Sequence, residues 1–99
     1  MMAGGHSDVK KCVDNVEEKE MFEGMKGEVE AKTGKTYGSL TAVHYTSQVV
    51  AGCNYWVKFV TDGGEYIHVK IFKPLPHTGN PATISEHHEG QTEDAAFNH

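Results

Sequence analysis

The sequence predicts an α+β fold, in which one helix covers one face of an antiparallel meander. Three observations lead there. Apolar residues between Val16 and Val29 recur at helical spacing; from Ser39 onward the period changes to two; and a polar "DGG" turn separates two alternating runs. The chain has 99 residues, enough for one domain, and no linker or internal repeat divides it.

Residues 1–12, with Gly4–Gly5 near the start, are expected to form a loose N-terminal trunk. The pair Asp14 and Glu17 has the spacing of a capping box, so the helix is expected over 14–33. Val16, Phe22, Met25 and Val29 form its apolar stripe, while Glu17, Glu18, Glu20, Glu28 and Glu30 form a solvated face. Gly24 and Gly27 each weaken it by roughly 1 kcal/mol relative to alanine, which leaves its stability to tertiary packing. "TGKTYG" reads as its stop and a turn.

The meander is expected over 39–88, with a C-terminal tail over 89–99. In its first strand Leu40, Ala42, His44 and Thr46 share one face, and Thr41, Val43, Tyr45 and Ser47 the other. In the second, Cys53, Tyr55, Val57 and Phe59 alternate with Asn54, Trp56, Lys58 and Val60; in the third, Ile67, Val69 and Ile71 alternate with His68, Lys70 and Phe72. Tyr55, Val57, Phe59, Ile67, Val69 and Ile71 are the expected core. "KPLPHTGNP" ends the third strand, because proline cannot donate to a ladder. A weaker strand is expected from Ala82 to about His88.

Strand direction reverses at every connection of a meander, so Val49–Gly52 and Pro74–Pro81 fall at one end of the sheet and "DGG" at the other. That near end is unusual. Hairpin tips are normally polar, yet "SQVVAGCNYW" places Val49 and Val50 at one tip, and Leu75 stands between prolines at its neighbour. Adjacent aliphatic tips make an apolar edge of the kind that binds something. Their shape, thin and stiffened by proline, suits a cleft.

Composition excludes several alternatives. The formal charge is −5, and the nine basic residues are all lysine, which removes the bidentate arginine contacts typical of nucleic-acid binding. No basic amphipathic stretch or long apolar run points to a membrane, and no apolar segment at the start has the length of a secretory signal. Cys12 and Cys53 make a poor disulfide framework and read as two free thiols of a cytoplasmic protein, the alternative being a bridge between them if the backbone brings them together. Cys53 follows a glycine, but a nucleophile needs a positioned base, and His44 and His77 are only nominal candidates; no catalytic residue is assigned. His87 and His88 are adjacent and would point to opposite faces of a strand, so no metal site and no cofactor are expected.

The segment "QVVAG" at Gln48–Gly52, followed by "NYWVK", resembles the central motif of the cystatins. "LPH" at Leu75–His77, the early "GG" and "KTGKTYG" make the resemblance specific to the stefins (type 1 cystatins) from Gly4 to about Ile84. It implies a curved antiparallel sheet of four to five strands wrapped around a single long helix. It also implies tight, reversible inhibition of papain-like cysteine peptidases, the cathepsins among them, by an inhibitor with no enzyme activity of its own. The implied peptidase-binding residues are Gly4 and Gly5; Gln48, Val49, Val50, Ala51 and Gly52; and Leu75, Pro76 and His77. Cys53 stands where the family has threonine, and the C-terminus with Phe97 follows the family pattern least. A monomer is expected. The alternative use of the same edge is a non-inhibitory interaction module, self-associating by strand exchange through the first hairpin or binding other partners.

Overall fold

The computed structural model describes residues 8–97. Five strands form one antiparallel sheet in chain order: β1 (Lys10–Lys11), β2 (Leu40–Val50), β3 (Gly52–Thr61), β4 (Tyr66–Lys73) and β5 (Thr83–Gln91). Two helical segments, α1 (Val16–Glu23) and α2 (Lys26–Thr33), pack on one face. Among the described residues no helix is long and apolar enough to cross a membrane.

The helix expected over 14–33 therefore comes in two pieces. At Gly24–Met25 the Met25 amide bonds to the Phe22 carbonyl, three residues back, and regular α-helix resumes only at Lys26. Gly24, a residue that disfavours helix, stands where the ladder breaks. Phe22, Met25 and Val29 remain one buried stripe across the interruption. Val16 does not join them and is 59% exposed. It precedes Phe22 by six residues, which turns it about 120° away from the stripe on a 3.6-residue helix. The Asp14–Glu17 capping pair is also overturned: Asp14 closes a 3-10 turn over Cys12–Asp14, and Asn15, with no side-chain capping bond, precedes the helix. α2 ends at Thr33, where Gly34 takes a left-handed φ of 73° and returns its amide to Glu30.

Strand β2 departs from simple alternation. Its pairing with β3 skips Val43, a bulge that puts two residues opposite one. Leu40 and Ala42 face the helices before it; Tyr45, not His44, does so after it. The expected grouping of His44 and Thr46 with Leu40 is thus corrected. Glu23 reaches from α1 to this point, accepting the Ala42 amide at 3.0 Å while pairing with Lys19 at 2.7 Å. Phe22 then sits edge-on between Tyr45 and Tyr55, with ring centroids 5.1 Å from each. Val57, Phe59, Ile67, Val69 and Ile71 complete the core, and Cys12, from the stretch read as loose, is fully buried in it.

The opposite face is also covered. Thr46, Trp56, Lys58 and His68 are buried there, whereas the sequence suggested a cover only for the helix side. Part of that cover is the C-terminal segment: the Lys58 ammonium donates to the carbonyls of Glu93 and Ala95, and the Phe97 ring lies 4.7 Å from that of His68. Lys70 stacks over Trp56 at 5.0 Å.

Two expectations follow from this core. Phe22→Ala removes the ring shared by two tyrosines and should cost about 3–5 kcal/mol of stability, read from urea unfolding. Burial, assisted by Glu23, raises the Cys12 thiol from 9.0 to about 11. The unfolded chain releases that proton first, so the stabilisation is complete below pH of about 9 and is lost as pH rises toward about 11. Urea midpoints should fall over that window, and fall less in Cys12→Ala.

Candidate functional site

β2 and β3 pair out to Val50 and Gly52, leaving Ala51 alone as the bend between them. The valines thus belong to an extended ladder that projects beyond the helices. Their side chains diverge by strand alternation. Val49 points to the helix side of the sheet and Val50 to the other, and they are 77% and 41% exposed. Gln48 shares the Val50 face, where its side-chain oxygen accepts from Asn54 Nδ2 at 3.2 Å, a cross-strand bond that stiffens the base of the hairpin.

The register between β3 and β4 sets Cys53 opposite Lys73, so the second loop leaves the sheet beside the base of the first. Leu75 there is 40% exposed. Its carbonyl accepts the Thr78 amide at 3.1 Å and the Thr78 hydroxyl at 2.8 Å, closing a 3-10 turn over Pro76–Thr78 that carries the exposed His77. The polar turn at Asp62–Glu65 lies at the other end of the sheet, between β3 and β4.

Between the loops runs an open groove of about 330 Å³, lined by Val49, Gly52, Cys53, Tyr55, Lys73, Pro74 and Leu75. The structure brings Gln48, Val49, Val50, Ala51, Gly52, Leu75, Pro76 and His77 together at one end. Gly4 and Gly5 lie outside the described residues; β1 runs antiparallel to β2, so Asp8 and Val9 precede it on the side of this end.

Gly52 holds the two loops at their spacing. Its φ is +119°, and a Cβ there would lie 2.6 Å from the Lys73 carbonyl oxygen and 3.0 Å from the Phe72 ring. Both the backbone conformation and the close approach of β4 exclude a larger residue. The sequence shows the glycine but not the neighbour that demands it. Cys53 is half-buried, its thiol directed to the Asn54 carbonyl at 3.7 Å, and both cysteines are free. Burial and the adjacent Cys53 raise the Tyr55 hydroxyl well above its ordinary value, leaving it a neutral wall of the groove. Among the described residues no cluster of His, Cys, Asp and Glu is arranged to hold a metal ion.

The chain is similar to known proteins over most of its length. A family model described as a cystatin domain matches residues 4–95. Cystatin-A1 of Sus scrofa is 38% identical over 94 residues, covering 95% of this chain and 89% of the relative. Leukocyte cysteine proteinase inhibitor 1 of the same species is 35% identical with the same coverage. Cystatin-B of Macaca fuscata fuscata is 33% identical over 87 residues, covering 88% of this chain and 87% of its own.

Gly52→Ala should cost about 1–3 kcal/mol and displace the second loop from the first. The check is an amide spectrum: shifts concentrated at Lys73–Leu75 are expected, with the Asp62–Glu65 turn unchanged.

Proposed function

The chain belongs to the cystatin family and is an inhibitor of cysteine proteases rather than an enzyme; from that premise we propose that it blocks papain-like peptidases of the cathepsin type by inserting its loop end into their active-site cleft. The observation that carries this reading is the exposure of Val49, Val50 and Leu75 on adjacent bends flanking an apolar groove.

The mechanism is occlusion. Water leaves the cleft walls as the aliphatic tips enter, and each fully buried valine or leucine contributes roughly 1.5–3 kcal/mol of transfer free energy. Both loops are preformed: one by its ladder and the Gln48–Asn54 bond, the other by the Thr78 bonds to Leu75. Little ordering entropy then opposes association. A hairpin bend offers the catalytic thiolate no extended peptide bond to attack, so binding is reversible and leaves the inhibitor intact. Ala51 and Gly52 keep the leading edge thin. Leu75, Pro76 and His77 line the second contact, and the trunk at Gly4 and Gly5 adds a third. The inhibitor acts as a monomer in the cytoplasm, a setting that suits two unpaired thiols.

Titration of papain activity tests this. Stoichiometric loss of activity is expected from the intact chain, and at least a 100-fold weaker inhibition constant from Val50→Asp, which would bury an unpaired carboxylate in the cleft. A chain lacking residues 1–5 should dissociate faster while associating at a nearly unchanged rate. A change in apparent size of the intact chain without loss of papain activity would point instead to a non-inhibitory interaction module.

A further inference from the structure

The 14 acidic residues are unevenly placed. None occurs between Ser47 and Val57 or between Ile71 and Ser85, the two stretches that build the loop end, where the ionisable groups besides Cys53 and Tyr55 are Lys73 and His77. The opposite end carries Asp62, Glu65 and Glu89. Glu18 of α1 is close enough to act on the Tyr55 hydroxyl from the helix side, and Asp8 precedes β1, with β2 and β3 intervening before β4. A molecule of formal charge −5 therefore turns two loops with no carboxylates of their own toward its target.

Lys73 differs from most of the other lysines in its surroundings. Lys19, Lys26, Lys35 and Lys70 each pair with a carboxylate, and Lys58 is held by main-chain carbonyls. Lys73 is exposed and forms no ion pair among the described residues. It also lines the groove between Val49 and Leu75, in the seam between the two tips. An ammonium that is not neutralised at home, set beside the surfaces that enter a cleft, is placed to meet a carboxylate on the partner.

We infer that the loop end is fitted to a peptidase whose cleft has an acidic rim, and that Lys73 is the residue that reads that charge. This rests on the inhibitor reading above and adds the kind of target to it. The acidic body is repelled by such a partner while Lys73 is attracted, so the field turns the loop end to lead. Charges at the edge of an interface act chiefly on the encounter rate and its salt dependence. Steering of this kind raises association by about 10- to 1000-fold at low ionic strength and fades as the screening length shortens to about 8 Å.

The test is stopped-flow association with two papain-like peptidases, one selected for an acidic cleft rim and one for a basic rim, each at low and high ionic strength. With the acidic rim, the wild-type rate should drop at least about 5-fold as salt rises, and Lys73→Glu should lower the low-salt rate by about 10-fold. With the basic rim, Lys73→Glu should instead speed association. Lys73→Gln should fall between. Lys32→Glu, the same change in net charge on the exposed last turn of α2, should stay within about twofold of wild type. Equal effects of Lys73→Glu and Lys32→Glu, or rates indifferent to salt and to Lys73, would overturn the inference while leaving inhibition in place. Failure of the wild type to inhibit either peptidase would overturn the inhibitor reading itself.

Discussion

At Val43 strand β2 carries one residue more than its partner strand, and the carboxylate of Glu23 holds the Ala42 amide next to that extra residue. Much of the molecule depends on this join. A one-residue change of parity sends every later side chain of a strand to the other face. Without the bulge, His44 and Thr46 would meet the helices; with it, Tyr45 does, and Phe22 finds an aromatic ring on either side. The same parity carries on to the end of β2, where it directs Val49 toward the groove and Val50 away from it. A shift of parity beside the core thus sets what the exposed edge presents.

The loop end is rigid for reasons that are local to the backbone. Strand pairing persists to the last residue before the bend, so the aliphatic tips are held by ladder bonds and are not the loose middle of a long loop. At Gly52 the main chains of β3 and β4 come closer than any side chain would allow, and the carbonyl that crowds this glycine belongs to Lys73, the residue from which the second loop departs. The spacing of the two loops is consequently set by contact between backbones. Side chains at the tips are then free to serve an external surface, since the sheet does not need them for its own packing.

Much of this architecture was legible in the chain. Period-two alternation identified Val57, Phe59, Ile67, Val69 and Ile71 as core because β3 and β4 are central strands with uninterrupted pairing to each other. The clustering of the Val49–Gly52 and Leu75–His77 segments followed from counting reversals. What escaped has specific causes. A bulge has no signature of its own at Val43, where a β-branched residue suits either register. The spacings of three and four that join Phe22, Met25 and Val29 do not extend to Val16, whose separation of six residues from Phe22 is out of phase with a helical turn. The cover over Lys58 and His68 was missed because it is made largely of main-chain carbonyls and one phenylalanine in a stretch with no periodicity. Gly52 was visible as a permissive turn residue, whereas the crowding by β4 is a long-range contact that no local pattern encodes.

The way Lys58 is neutralised has a consequence for how this chain tolerates change. Its cationic head is solvated by two peptide oxygens, and peptide oxygens are supplied by any amino acid. Drift in the side chains of residues 93–95 therefore leaves the clasp intact so long as the backbone keeps its path and an aromatic ring stays at position 97. The clasp therefore depends on the path of the tail's backbone more than on the side chains it carries.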